Sequence, residues 1–391
     1  MVRTVFVLDG RSRAALQVVR SLGKRGVKVI IGNDSWVCSS FFSRFVSKRV
    51  VYPNPKTKGF KRLMFALLQK EKIDVVIPVR DDTTLFFSRY KEELSKFSKI
   101  PVADFKTIMK GRDKSQTIEI AKRAKVPIPK TIIVNSLSDV LANYKKIGFP
   151  MVLKPAISTG SRGLFLLRNK DQLDQLRDSL FHRYGKYLMQ EFIPSQGNYG
   201  LNVLFNDKSE LRAVFVYKRL RDYPRGMGPS VLRMSVVNDE IKKYGVRLFK
   251  AMRWQGVGMA EFKVDTRDNK PKLMEVNPRF WGSLALPIYA GVDFPYLLFK
   301  MALEGDVTPV IKYKQGVLAR WLLLGDLLWL LKSKDKLHDL KEFLKFFRKN
   351  QIYDIISLKD PLPALGALLE GLEFIFKKKK REHAFNRGVI F

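Results

Sequence analysis

The amino-acid sequence predicts an α/β protein that begins with a doubly wound parallel sheet and continues into a hairpin-rich region. Two observations carry this. In the first hundred residues short apolar strands alternate with helix-period segments, the pattern of a parallel sheet covered by crossover helices. After about residue 130 the strands follow one another through turn residues, the pattern of antiparallel pairing.

TVFVLD (4–9) reads as the first buried strand, followed by a helix from Ala14 to Lys24 whose apolar positions are Ala15, Leu16, Val19 and Leu22. KVIIG (28–32) and VVYP (50–53) read as the second and third strands, the latter ended by Pro53. A helix through Leu63 to Leu68 leads to DVVIPV (74–79), the most continuous apolar strand of the set. Gly10 follows the first strand without G-x-G-x-x-G spacing, so a dinucleotide fold is not read from it.

From Lys110 onward, a helix over Ser115 to Ala124 precedes a connection broken by Pro127 and Pro129, and the strand Thr131 to Val134. PMVLKP (150–155) and GLFLLR (163–168) are strands joined by AISTGSR, and KYLMQEFIP (186–194) is another. GLNVLFND (200–207) and LRAVFVYKRLR (211–221) form a hairpin with Asn206 and Asp207 at its turn. A helix near Ile241 to Met252 precedes the strand GVGMAEFKVD (256–265), and the turn TRDNKPK (266–272) leads to a further strand in KLMEVNPRFWGS (272–283). The C-terminal third reads as helices over 322–331, 340–347 and 365–376, with KKKKR (377–381) at the end.

Lys and Arg number 73 against 37 Asp and Glu, a net charge of +36. Such an excess suits nucleic acid, anionic lipid or a polyanionic small molecule. The basic residues are spread along the chain without a zinc-finger, RNA-recognition or helix-turn-helix pattern, which disfavours nucleic acid. Cys38 is the only cysteine, which excludes an intramolecular disulfide and a thiolate cluster. His182, His338 and His383 lack metal-ligand spacing and read as surface or structural residues. The N-terminal apolar run is too short for a signal sequence and the run at 321–331 too short for a span, so a cytoplasmic location is expected.

The functional signal is KLMEVNPRFWGS (272–283). Strand alternation turns Glu275, Asn277 and Arg279 to one side, and the turn TRDNKPK folds this strand back toward Glu261 in MAEFK. Two carboxylates and an amide, without His or Cys, suit Mg²⁺ or Mn²⁺; pairing with Lys263 or Lys272 on an exposed face is the alternative. Lys154 ends an apolar strand where a point charge reaches a phosphate, and Gly160, Ser161, Arg162 and Gly163 form a turn whose N–H groups either close over one or make a plain hairpin loop. Gln190-Glu191-Phe192-Ile193 sets a carboxylate beside apolar residues, as a purine requires.

Taken in order, these motifs resemble the ATP-grasp superfamily from about Asp113 to Glu304. The resemblance implies an α/β and α+β fold class: an N-terminal α/β domain over 1–108, a two-subdomain ATP-grasp fold over 109–310 divided near 186/187, and a mostly helical basic region over 311–391. It implies ATP and Mg²⁺ or Mn²⁺ as cofactors, with Lys114 in GRDKS and Lys154 on the phosphates, Gly160 to Gly163 as a phosphate-covering loop, and Glu191, Phe192 and Ile193 at the adenine. It further implies Glu261, Glu275 and Asn277 as metal ligands, and Arg279 at the reacting phosphoryl group. The sequence departs from the common Ile-Pro-Gly after the adenine strand, reading IPSQGNYG, so no ribose-binding residue is assigned. The chemistry implied is acyl phosphate formation and attack by an amine, with no covalent nucleophile from the protein; carboxylase and phosphotransferase chemistries share the same nucleotide residues.

VYKRLRDYPRGMGPS (216–230) reads as a loop whose Lys218, Arg219, Arg221 and Arg225 meet an anionic substrate, unless they form only a solvated hairpin end. The stripe Leu365, Leu368, Leu369, Leu372, Ile375 and Phe376 before the KKKKR run either packs on the protein's own core or lies on an anionic membrane.

Overall fold

The computed structural model describes residues 2–160, 162–176, 181, 184–225, 228–333 and 335–376. Ser161, Gly226, His182, His383, the Lys377–Arg381 run and the side chains of Ile375 and Phe376 lie outside this description.

Three sheets organise it. The first contains β1 (Thr4–Val7), β2 (Lys28–Asn33), β3 (Val46–Val51) and β4 (Val75–Ile77), all parallel in the order β3-β2-β1-β4. Its apolar strands are covered on both faces. Val5, Val7, Val29 and Ile31 share a core with the helix Arg13–Gly23, whereas Phe6, Leu8 and Ile30 pack with the helices Lys58–Lys70 and Asp81–Arg89. β3 begins earlier than expected because Ser47, Lys48 and Arg49 are exposed, so its apolar signal is confined to the C-terminal end.

The second sheet contains β5 (Thr131–Val134), β6 (Met151–Pro155), β7 (Phe165–Leu167) and β8 (Tyr187–Glu191), antiparallel in the order β5-β8-β6-β7. The helix Leu137–Ile147 crosses it, started by a capping box in which Ser136 and Asp139 bond reciprocally. β8 is paired on both sides here, so the expected division at 186/187 is corrected: this sheet extends through Glu191.

The third sheet contains β9 (Ser195–Phe205), β10 (Leu211–Asp222), β11 (Ser230–Ser235), β12 (Gly256–Asp265), β13 (Pro271–Asn277), β14 (Leu318–Arg320) and β15 (Gln351–Tyr353). Its order is β13-β12-β9-β10-β11-β14-β15. One face packs on the helix Asp239–Ala251 through Leu201, Val203, Phe205 and Phe249; the other shares its core with the parallel sheet and the helix Phe294–Glu304. Two expectations change. Residues 311–376 carry the expected helices, at Leu322–Asp326 and Leu327–Leu331, Lys336–Phe343 and Leu362–Phe376, but they also supply β14 and β15, which complete this sheet; three-residue strands carry too little periodicity to be read. Lys218 to Arg221 belong to β10, and the loop is confined to the residues between Asp222 and Ser230.

Candidate functional site

A cleft of about 960 Å³ runs between the second and third sheets, reaching the first turn of the helix Arg13–Gly23. Glu261 on β12 and Glu275 on β13 stand directly opposite one another. Lys154, at the end of β6, crosses to the third sheet, where its Nζ donates to the Met274 carbonyl at 2.9 Å. Burial, reinforced by the neighbouring Lys114, lowers its ammonium pKa to about 7. Lys114 opens the helix Lys114–Arg123, capped by Asp113; its Nζ lies 3.2 Å from the Ser158 carbonyl and 3.9 Å from Glu275. Burial lowers its pKa as well, against the pull of Glu275. Two lysines from the second-sheet side thus meet the carboxylate pair of the third.

Arg219 on β10 lies 2.6 Å from Glu261. Burial raises the Glu261 pKa, Arg219 opposes the rise and Glu275 adds to it. Asn277 donates to Glu275 at 3.4 Å and accepts from Arg279 at 3.2 Å. Arg279 reaches Asp81, 3.1 Å away at the start of the helix Asp81–Arg89. Although burial disfavours the anion, Arg279 and Arg112 hold the Asp81 carboxyl below the ordinary range. The alternative partners Lys263 and Lys272 are engaged elsewhere or merely nearby: Lys272 pairs with Asp265 and Asp268.

The donor chemistry fits a hard divalent cation. Glu261, Glu275 and the Asn277 carbonyl are oxygen donors on adjacent strands, and among the described residues no three His, Cys, Asp or Glu side chains converge. Such a set is sufficient for Mg²⁺ only when phosphates and water complete the shell, which is that ion's habit.

Other expected residues divide. Val152 and Leu166 of the second sheet, with Phe192, Ile193 and Met274, form an apolar slot in the cleft. The Glu191 carboxylate does not stand free beside it: Lys130 N–H donates at 2.8 Å and Arg267 lies 2.9 Å away, so Glu191 ties the sheets together. The Phe192 N–H donates to the Pro150 carbonyl at 3.1 Å. Gly160 lines the cleft at φ +61°, and among the described residues nothing lies near its missing Cβ. At Gly163, with φ +70°, a Cβ would meet Tyr184 and Pro155; Gly163 and Arg162 stand back from the cleft.

The basic group on β10 is not one surface. Only Arg219 reaches the carboxylate pair. Lys218 points to the opposite side, against Gly197 and 5.7 Å from the Tyr199 ring. Arg221 borders the cleft but bonds Asp326 at 2.8 Å, and Arg225 bonds Asp339. Both stack over Trp329. Their partners lie more than a hundred residues away, which no local spacing reveals.

Sequence reasoning missed the inner wall. Arg13 enters the cleft from the helix Arg13–Gly23; it and the fully buried Arg233 both bond Asp354. Among the described residues the Arg233 Nε and Nη1 atoms have no hydrogen-bond partner, nor has the Trp281 Nε1 of the cleft wall. The GRSR run after β1 was the available signal for Arg13. Asp9, also missed, is buried and accepts from Val79 and Arg80 N–H and the Thr83 hydroxyl, locking β1 to β4.

Comparison with known proteins adds four facts. Residues 113–308 match the family described as carbamoyl-phosphate synthase L chain, ATP binding domain. The chain is 25% identical over 260 residues to D-aspartate ligase of Enterococcus faecium, covering 61% of this chain and 62% of that one. It is 21% identical over 334 residues to the carbamoyl phosphate synthase large chain of Methanothermobacter thermautotrophicus, covering 78% of this chain but 31% of the relative. The chain therefore spans less than two thirds of these relatives. Its fold is similar to that of biotin carboxylase from Campylobacter jejuni, solved as a β,γ-ATP complex, with a TM-score of 0.68 at 16% identity over 81% of this chain and 74% of that one. Through the match over 113–308, this chain belongs to the carbamoyl-phosphate synthase ATP-binding domain family of the ATP-grasp superfamily.

Proposed function

We propose that this protein uses ATP and Mg²⁺ to activate a carboxylate as an acyl phosphate, which an amine or similar nucleophile then attacks, releasing ADP and phosphate. The observation that carries the reading is the meeting of Lys114 and Lys154 with the cross-strand pair Glu261 and Glu275 in one cleft. Cations for phosphate and oxygen donors for a metal, with no activated nucleophile among them, are what phosphoryl transfer needs.

The apolar slot of Val152, Leu166, Ile193 and Met274 suits a purine, and the phosphates then extend toward Lys114 and Lys154. Glu261, Glu275 and Asn277 would hold Mg²⁺, which bound there screens the phosphate charge. A substrate carboxylate oxygen attacks the γ-phosphorus as the bond to the ADP oxygen breaks. The amine then adds to the acyl carbon, phosphate leaves and the amine loses a proton. Arg279, already fixed by Asp81 and Asn277, is placed to orient the transferred group.

Arg13 and Arg219 on the cleft wall favour an anionic acceptor or donor, one with a carboxylate besides the reacting one. The test is ADP release with a panel of carboxylates, each with and without amines. ADP formed only with a carboxylate and an amine together supports the ligase; ADP formed with bicarbonate alone favours a carboxylase.

A further inference from the structure

The helix Leu362–Phe376 is packed inside out. Leu362, Leu365, Leu368, Leu369 and Leu372 fall within an arc of about 120° at helical spacing, a stripe that ordinarily faces a core. Here it faces solvent, with Leu368 and Leu372 each 49% exposed. The opposite face meets the protein: Ala367 is buried, a Cβ on Gly366 would press on Phe42, Glu370 accepts from the Ser39 N–H and Glu373 pairs with Arg11. The hydrogen bonds and ion pair fix which side is inward, so the exposed stripe is built in.

The neighbouring elements repeat the arrangement. Leu324 lies against Gly371 of that helix and leads to the helix Leu327–Leu331, where Leu327 and Leu331 are exposed. The helix Lys336–Phe343 packs on it and exposes Leu337 and Leu340, with Leu344 one turn on. Trp36, 76% exposed, sits in the loop that Arg11 ties to Glu373 through the Val37 carbonyl. Exposed Lys332, Lys341, Lys349 and Lys359 are interspersed among these leucines, and the sequence continues past Phe376 as KKKKR.

We propose that this face docks on the surface of an anionic lipid bilayer, with the leucine stripe of Leu362–Phe376 lying in the interface. Charge selects this occupant. A second copy also carries a net charge of +36 and is repelled, whereas an anionic leaflet attracts the flanking lysines. Exposed apolar side chains on segments that also carry exposed lysines, with an exposed tryptophan alongside, match the headgroup boundary of a bilayer. Among the described residues no helix is long and apolar enough to cross a membrane, so the helix lies along the surface. The helix Leu362–Phe376 lends no residue to the cleft lining, which the adjoining helix Leu327–Leu331 meets through Trp329, and the inference does not depend on the catalytic reading.

Flotation of the full chain with vesicles tests it, using phosphatidylcholine alone and phosphatidylcholine containing roughly one third phosphatidylglycerol. The wild type should float with the anionic vesicles only, and salt should weaken the association. Leu368→Glu/Leu372→Glu should lower partitioning by about tenfold or more, with thermal unfolding unchanged. Leu337→Glu/Leu340→Glu on the adjoining helix supplies a second test should the first variant not fold. The inference is overturned by a wild type that floats with neither vesicle, by leucine variants that fold and float like wild type, or by a dimer without vesicle binding that these substitutions dissociate.

Discussion

Arg219 and Glu261 form a 2.6 Å ion pair in the wall of the cleft, joining β10 to β12 across β9, the single strand between them. Arg219→Met removes the counter-charge from a half-buried carboxylate that already titrates high, because its partial burial disfavours the anion. With a raised folded-state pKa, the stability from this group is complete below the unfolded value of 4.5 and is lost as pH rises through the folded one. Removing Arg219 moves that loss further up the scale. The variant should therefore be destabilised by about 3 kcal/mol at roughly pH 8 and by clearly less at roughly pH 5. Adding Glu261→Gln should recover most of the deficit. Thermal unfolding at the two pH values measures it; an equal loss at both would contradict the pairing.

Lys154 predicts proton uptake on nucleotide binding. Its pKa of about 7 in the free protein should rise when phosphates arrive, so affinity for ATP is greatest below about pH 7 and weakens above it. Calorimetry at about pH 8 in buffers of different ionisation enthalpy should show uptake approaching one proton. Lys154→Arg keeps the charge and should bind without that uptake. Undiminished uptake in that variant would assign the proton to another group.

Arg221 and Arg225, attractive as substrate contacts in the sequence, should behave as structural residues. Asp326 is fully buried between Arg221 and Arg320. Arg221→Ala leaves it with one partner fewer, and unfolding should cost about 2 kcal/mol less. KM for the carboxylate should change less than about twofold, whereas Arg219→Met should raise it tenfold or more in the variant that still folds. The reverse pattern in steady-state kinetics would restore Arg221 to the substrate site.

How much of this was legible follows from where each residue's partners lie. Buried strands such as β1, β4 and β6 announce themselves as apolar runs, and the alternation of Glu275 and Asn277 shows a polar face at the end of β13, with Arg279 two residues beyond the strand. β14 and β15 are three residues each and could not do so. Glu191 looked suited to a purine, but its commitments to Lys130 and Arg267 are tertiary. The stripe in Leu362–Phe376 was readable as a stripe, yet its direction was not, because Glu370 and Glu373, rather than the leucines, decide which face is inward. Arg13 and Arg233 converge on Asp354 from positions hundreds of residues apart, and no motif connects them.

ADP release by Glu275→Gln is the sharpest measure of whether Glu275 holds the metal that phosphoryl transfer needs. The Glu275 side chain is 37% exposed, so the substitution should leave the fold intact, which thermal unfolding verifies. With the carboxylate and amine that stimulate the wild type, MgATP turnover should fall by ~10²-fold or more, equivalent to about 3 kcal/mol of barrier. Turnover equal to wild type in a folded variant would remove Glu275 from the metal site and contradict the account.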